Sequence, residues 1–277
     1  MSDLEHERLD RSQGLHVVRQ GSGKPAIMLH GYGTTQFTWR NLVPVLAAQR
    51  ELWLVDLKGH GRSACPLDGK YALRDQVELI YRLIVENDLR QLTLIGHSMG
   101  SGVALLTALK LVADGEDRLS SLVLIDGIAF PQRLPLFIRL AAWPLLGPMV
   151  LACVPVKLLV RLVLMTAFFD RRKIERQAID AYAVNLRSHE YRQALIDTAK
   201  RLVHEDLKHE IRQYSSITVP TLIIWGQQDR VVPPSVGARL NTVLANSRYL
   251  AVENCGHMPQ EERPQAILEP ITKFLGY

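Results

Sequence analysis

A pentapeptide in the first half of the chain has the residue types of a nucleophile site. Gly96-His97-Ser98-Met99-Gly100 fits the pattern G-x-S-x-G, between an apolar run and a segment rich in helix formers. A serine at a sharp strand-to-helix turn projects its hydroxyl outward, and flanking glycines remove side chains that would clash there. We therefore predict that Ser98 is a catalytic nucleophile; the alternative is a helix start built of small residues.

A base and an acid for this serine follow later in the chain. Asp229 ends the run TLIIWGQQD, and His257 ends the tripeptide Cys255-Gly256-His257. A neutral imidazole can accept the hydroxyl proton of a serine, and a carboxylate can fix the tautomer of that imidazole. An isolated aspartate is more often a helix cap, and an isolated histidine a core or surface residue. Together with Ser98, however, the two predict a catalytic triad.

Main-chain donors are also expected beside the serine. His30-Gly31-Tyr32-Gly33 ends an earlier apolar run and forms a loop that would face the nucleophile turn. The oxyanion of acyl transfer needs two backbone N–H groups, one from such a loop and one from the residue after the nucleophile. We assign these donors to Tyr32 and Met99; otherwise the loop is only a glycine-rich turn.

Other acids and a thiol near these motifs receive structural interpretations. Asp126, at the end of LVLIDG, is a competing triad acid, but a hydrogen bond to the turn that follows it is favoured. Asp56, in DLKGHGRS, is expected to accept bonds from loop amides, with Arg62 as a candidate partner. Cys255 is expected to pack as a small buried residue. No residues have metal-ligand spacing, so neither a metal nor another cofactor is predicted.

The motifs follow short apolar runs that have the composition of buried strands. Five such runs each end in polar or glycine residues, at 26–33, 51–59, 92–98, 122–127 and 221–229. Between them, residues 71–87 and 99–114 have helical patterns. This alternation predicts an α/β fold with a doubly wound, parallel sheet, whose polar strand ends meet at one rim.

A helical insertion interrupts the alternation. Residues 127–214 contain no comparable strand run, and five prolines divide the apolar first half of this segment into short helices or loops. The predicted organisation is a first part of the core at 1–128, a helical cap at 129–213 and a second part of the core at 214–277.

Composition places the chain among soluble globular proteins. It has 277 residues, of which 47% are hydrophobic and 22% charged. Its three cysteines, Cys65, Cys153 and Cys255, are widely spaced, so no disulfide framework is expected and a reducing compartment fits best. The polar, acid-rich start lacks the features of a secretory signal, which favours a cytoplasmic location.

Positive charge is concentrated in the predicted cap. The net charge is +5, but residues 129–173 alone contain seven basic residues and the single acid Asp170. Long aliphatic runs separate these charges, which disfavours nucleic acid as a partner and favours a lipid surface or an amphiphilic substrate. Residues 140–156 carry no charge, but prolines interrupt them. A cap packed on its own core is favoured; peripheral docking on a membrane and a true span are the alternatives.

Five motifs together resemble the α/β-hydrolase superfamily. They are HGYG (30–33), DLKGHGRS (56–63), GHSMG (96–100), the Asp229 segment and CGH (255–257). The chain order serine, aspartate, histidine is also the order used in that superfamily. The resemblance implies an eight-stranded, mostly parallel sheet with the cap inserted after the sixth strand. Members include esterases, lipases, carbon–carbon bond hydrolases, haloperoxidases, epoxide hydrolases and haloalkane dehalogenases.

The serine at position 98 separates these activities. Epoxide hydrolases and haloalkane dehalogenases use an aspartate nucleophile, which this chain lacks there. Carbon–carbon bond hydrolases of ring-cleavage products typically have a glycine- and proline-bearing first loop, from which HGYGTTQFTW departs, so they are the second choice. We expect a serine hydrolase for an apolar acyl or aromatic carboxylic ester, such as a glyceride or lysolipid. A ligand-binding homologue without activity is a further alternative, and no oligomeric state is predicted.

Overall fold

A mixed sheet forms the centre of the molecule. The computed structural model describes residues 6–10, 14–204 and 206–276. The strands are β1 (His6–Asp10), β2 (Leu15–Gln20), β3 (Lys24–Leu29), β4 (Arg50–Asp56), β5 (Leu92–His97), β6 (Leu119–Ile125), β7 (Thr221–Gly226) and β8 (Ser247–Val252). Their order is β1-β2-β4-β3-β5-β6-β7-β8. Strand β2 pairs antiparallel with both β1 and β4, and all the other pairs are parallel. The expected eight-stranded, mostly parallel sheet is confirmed.

The five apolar runs form the buried strands β3 to β7, as predicted. Successive side chains of a strand point to opposite faces. In β3, Ile27 and Leu29 accordingly join one core cluster and Ala26 and Met28 the other. The sequence pattern did not reveal β8, because most of its side chains are only partly buried and the apolar run in SRYLAV has only four residues.

Helices cover both faces of the sheet. They are α1 (Val43–Leu46), α2 (Leu73–Glu86), α3 (Met99–Ala113), α4 (Leu136–Ala142), α5 (Leu146–Cys153), α6 (Val156–Ala167), α7 (Arg176–Asn185), α8 (His189–Val203), α9 (Lys208–Ile211), α10 (Pro234–Val243), α11 (Pro259–Glu262) and α12 (Pro264–Phe274). Apolar residues of α2 and α3 pack on one face, and those of α12 pack on the other. The helices predicted at 71–87 and 99–114 are therefore confirmed as α2 and α3.

Helices α4 to α9 lie between β6 and β7, where the sequence predicts the cap. Pro135 and Pro155 immediately precede α4 and α6, so these prolines begin short helices as expected. Within the described ranges, no single helix has the length and apolar character needed to cross a membrane. Helices α4 and α5 meet those criteria only as a pair, and they are bent by 105° relative to each other.

Candidate active site

The turn at Ser98 is tight and strained. Ser98 follows β5 and precedes α3, and its backbone has φ 53° and ψ −116°, outside the usual regions for a non-glycine residue. A Cβ at position 96 would lie 2.5 Å from the carbonyl oxygen of Gly100, and one at position 100 would lie 2.1 Å from that of Leu29. Both glycines are therefore required by close approach of the backbone, as the sequence pattern indicates.

The structure brings Ser98, His257 and Asp229 together at the carboxyl ends of the parallel strands. The Nε2 atom of His257 lies 2.9 Å from Ser98 Oγ, and its Nδ1 atom lies 2.7 Å from Asp229 Oδ2. The second carboxylate oxygen of Asp229 accepts bonds from the backbone N–H groups of Val231 (2.7 Å) and Val232 (3.0 Å). With Nδ1–H donating to Asp229, Nε2 is left to accept the serine proton.

The loop that contains Tyr32 faces the nucleophile turn. A Cβ at Gly31 would lie 3.1 Å from Ser98 Cβ, so the loop and the serine are in direct contact. In the described part of the chain, the backbone N–H of Tyr32 has no hydrogen-bond acceptor. Met99 is the first residue of α3, where backbone N–H groups have no partner within the helix. Both groups are therefore available to a negative oxygen beside Ser98.

Main-chain contacts fix the position of His257. Its backbone N–H donates to the carbonyl oxygen of Ala167 at 2.6 Å, and its carbonyl oxygen accepts a bond from His97 Nε2 at 2.7 Å. A Cβ at Gly256 would lie 2.2 Å from the same Ala167 oxygen, so only glycine allows this approach. Because Ala167 is the last residue of α6, a helix of the predicted cap directly holds the backbone of His257. The sequence motif CGH does not indicate this contact.

Glu262 connects the same two segments. It is buried, and its carboxylate accepts bonds from the backbone N–H groups of Gly256 (2.8 Å), Phe169 (3.1 Å) and Asp170 (2.6 Å). The carboxylate therefore holds the loop before His257 against the chain that leaves α6. No local motif marks this glutamate, since its partners are distant in sequence.

Asp126 lies next to Asp229. Its Oδ1 accepts a hydrogen bond from the backbone N–H of Gly226, at the end of β7, at 2.9 Å. The expected hydrogen bond to the turn that follows Asp126 is therefore wrong. Burial, followed by the charge of Asp229, raises the pKa of the Asp126 carboxyl well above its ordinary value. Polar atoms of Asp126, Asp229 and His257 lie within 4.8 Å of one another, the one such group in the described residues. Within this group, His257 Nδ1 already contacts Asp229 Oδ2, and Asp126 Oδ2 has no hydrogen-bond partner in the described structure. Cys255 is buried, as expected.

Asp56 organises a second polar cluster behind the Tyr32 loop. It accepts bonds from the backbone N–H groups of Gln36 (2.8 Å) and Arg62 (2.9 Å), which confirms the interpretation made from the sequence. It also contacts His16 Nδ1 at 3.1 Å, and His30 Nε2 lies 3.9 Å away. His16 belongs to none of the sequence motifs, so the sequence did not indicate its burial against Asp56.

Two further histidines near the site are buried. His60 packs against His30, with ring centroids 5.3 Å apart, and His97 against His257, with centroids 5.0 Å apart. Burial and the neighbouring His30 lower the pKa of His60 to about 3. Burial also lowers the pKa of His97 well below its ordinary value, and lowers that of His30. These rings are therefore neutral at physiological pH.

An apolar cavity of about 180 Å³ lies above Ser98 and His257. The Tyr32 loop lines its polar end. Helices α4, α5 and α6 line much of the rest, together with Tyr182 of α7, Leu195 of α8 and residues of the loops around Asp229 and His257. The side chains that α4, α5 and α6 contribute are aliphatic or aromatic: Phe137, Ile138, Leu140, Val150, Leu151, Leu159, Val160, Val163 and Leu164. Among the described lining residues there is no lysine, arginine or carboxylate.

The fold is that of one large protein family. The model of the α/β hydrolase fold family matches residues 24–264, so the chain belongs to that family, whose named members here are hydrolases. The chain resembles a pimeloyl-[acyl-carrier protein] methyl ester esterase of Aeromonas hydrophila at 28% identity, over 94% of this chain and 98% of that protein. It resembles the monoacylglycerol lipase abhd6-A of Xenopus laevis at 30% identity, over 93% and 77%.

Other relatives catalyse different hydrolyses. A 2-hydroxy-6-oxononadienedioate/2-hydroxy-6-oxononatrienedioate hydrolase of Cupriavidus pinatubonensis is 27% identical, over 95% of this chain and 90% of that protein. Among solved structures, the epoxide hydrolase CorEH superposes with a TM-score of 0.81 at 24% identity, covering 98% of this chain and 97% of that chain. At that identity the superposition shows the fold alone.

Proposed function

We propose that the protein is a serine hydrolase that cleaves carboxylic esters with an apolar acyl group through an acyl-Ser98 intermediate. The observation that carries this proposal is the chain of contacts from Asp229 through His257 to Ser98, at the polar end of an apolar cavity. A hydroxyl, an imidazole and a carboxylate in this arrangement have the chemistry of nucleophile, base and orienting acid.

In the first step, Ser98 Oγ attacks the ester carbonyl while its proton moves to His257 Nε2. The carboxylate of Asp229 stabilises the imidazolium that results. The backbone N–H groups of Tyr32 and Met99 donate to the oxyanion, a contribution of about 3 to 4 kcal/mol per donor in comparable enzymes. The carbon–oxygen bond then breaks, and His257 gives its proton to the departing alcohol.

A water molecule reverses these transfers in the second step. It gives a proton to His257 and attacks the acyl carbonyl, which is held again by the two N–H groups. The bond to Ser98 breaks, the serine recovers the proton from His257, and the carboxylic acid leaves. Protons and electron pairs balance with these side chains and water, so the proposed reaction requires no metal or other cofactor.

The lining of the cavity supports an apolar acyl group over an anionic substrate. The ring-cleavage hydrolase that resembles this chain has a dicarboxylate in its name. In this cavity the described lining residues offer no cation to such a carboxylate. A buried charge without a partner is costly, whereas an alkyl or aromatic acyl chain gains from burial. Carbon–carbon bond hydrolysis is therefore the second candidate, supported by this relative.

A substrate panel tests the proposal. Hydrolysis of p-nitrophenyl esters from acetate to dodecanoate should become faster as the acyl chain first lengthens, because the cavity is apolar. Ser98→Ala should reduce turnover by roughly 10⁵- to 10⁶-fold. Ser216→Ala, at an exposed serine, is the matched control and should retain activity. A fall of less than tenfold for Ser98→Ala would exclude the nucleophile, and preferred turnover of a dienoic ring-cleavage product would favour the second candidate.

A further inference from the structure

The outer side of α4, α5 and α6 exposes large apolar side chains. Leu145, at the bend between α4 and α5, is 81% exposed, and its neighbour Trp143 is 57% exposed. Leu136, Met149, Leu158 and Leu162 are also exposed on these three helices. We call these six residues the cap patch. Grouped exposed apolar residues of this size mark interaction surfaces more often than single ones do.

Arginines without acidic partners accompany the cap patch. Arg133 lies just before α4, Arg139 lies on α4 and Arg161 lies on α6. All three side chains are exposed. In the described part of the chain none of the three forms an ion pair, whereas Lys157 pairs with Asp180 at 2.6 Å. The segment therefore presents free positive charge beside exposed apolar groups.

We infer that the cap patch docks on the surface of an anionic lipid bilayer. Apolar side chains next to arginines match a membrane interface, where acyl chains lie directly below anionic headgroups. Trp143 beside Leu145 fits the preference of tryptophan for that boundary. A second copy of the chain is a poorer partner, because it would bring the same positive charges against each other.

The same helices connect this surface to the catalytic cavity. Leu140 and Val150 line the cavity above Ser98, while Trp143 and Leu145, between them in sequence, face outward. Docking would therefore place the helices that line the cavity against the lipid from which an apolar ester is drawn. This assignment of lipid esters as the substrate class rests on the proposed function; the docking itself does not.

Vesicle co-sedimentation tests the docking. The full chain should bind vesicles of phosphatidylcholine with phosphatidylserine at low salt, and bind weakly to vesicles of phosphatidylcholine alone. Replacing Arg133, Arg139 and Arg161 by glutamine should weaken binding roughly a hundredfold. Each basic residue near an anionic membrane contributes about 1 kcal/mol to the binding free energy, and three are removed. Leu145→Glu should also weaken binding. Leu67→Glu, at a leucine that is 67% exposed outside the cap, is the matched control and should bind normally.

Hydrolysis of p-nitrophenyl acetate, which is water-soluble, should remain normal in all these variants, since none of the residues lines the cavity. That assay reports failure of the proposed function separately from failure of docking. Absence of vesicle binding at low salt would overturn the inference. So would equal binding to neutral vesicles, an equal loss in Leu67→Glu, or lipid-free protein that sediments as a dimer and becomes monomeric in Leu145→Glu.

Discussion

The buried imidazole of His60 should make the free energy of unfolding depend on pH. Its ring lies among those of His30, Tyr32 and Tyr191, at centroid distances of 5.3, 6.1 and 6.3 Å. Nδ1 contacts the carbonyl oxygen of Lys58 at 3.2 Å, and Nε2 has no partner within the described structure. A proton added to Nε2 would therefore place an unpaired charge in the core, beside the loop that contains Tyr32.

The size of the effect follows from the shift in pKa. Burial lowers the pKa of His60 from 6.5 to about 3. Between these values the unfolded chain binds a proton that the folded chain does not, so stability falls as the pH falls. From pH 7 to pH 5, this single group should cost about 2 kcal/mol, at 1.4 kcal/mol for each unit below 6.5.

Urea unfolding of the wild type and His60→Asn at several pH values measures this contribution. Loss of packing in the variant changes the free energy of unfolding by a similar amount at every pH. Loss of the titrating ring instead changes how steeply that free energy depends on pH. The difference between the two proteins should therefore shift by about 2 kcal/mol from pH 7 to pH 5. His189→Asn, at an exposed histidine on α8, is the matched control and should keep the pH dependence of the wild type. A constant difference between wild type and His60→Asn would refute the reasoning.

Two further predictions concern the groups around His257. Asp126→Asn should change kcat/KM at pH 7 by less than about tenfold, because burial and the charge of Asp229 raise the pKa of the Asp126 carboxyl and so favour the neutral form that an amide resembles; a larger loss would contradict this expectation. Glu262→Gln should lower the free energy of unfolding by about 1 to 3 kcal/mol in urea, because an amide cannot satisfy three backbone donors. The exposed Glu269→Gln is its control, and an equal effect of both would contradict the role of Glu262.

The sequence was sufficient for the strands and motifs whose signals are local. Each of β3 to β7 is largely buried and contains a short run rich in apolar residues. The glycines around Ser98 are required by contacts within a few residues or with the adjacent strand. Because parallel strands end at one rim, Asp229 could be placed beside Ser98 before any coordinates. His257, which follows the unrecognised β8, could be placed there only by the chain order serine, aspartate, histidine.

Features that depend on distant contacts could not be predicted in this way. Contacts of Glu262 and Ala167 join the histidine loop to the end of α6 across 90 or more positions of the chain, and neither residue has a motif. His16 and His60 look like surface residues in sequence, and only the fold buries them. The bond from Gly226 to Asp126 was also missed, since it depends on how β6 and β7 pair.

Labelling with a fluorophosphonate probe, followed by intact mass measurement and peptide mapping, tests the proposed catalytic serine most directly. A serine activated by His257 should attack the phosphorus and retain a single probe on Ser98. Labelling should disappear in Ser98→Ala and become much slower in His257→Gln, while Ser216→Ala should label normally. Protein that hydrolyses esters while Ser98 stays unmodified, or that carries the probe at another residue, would contradict the proposal.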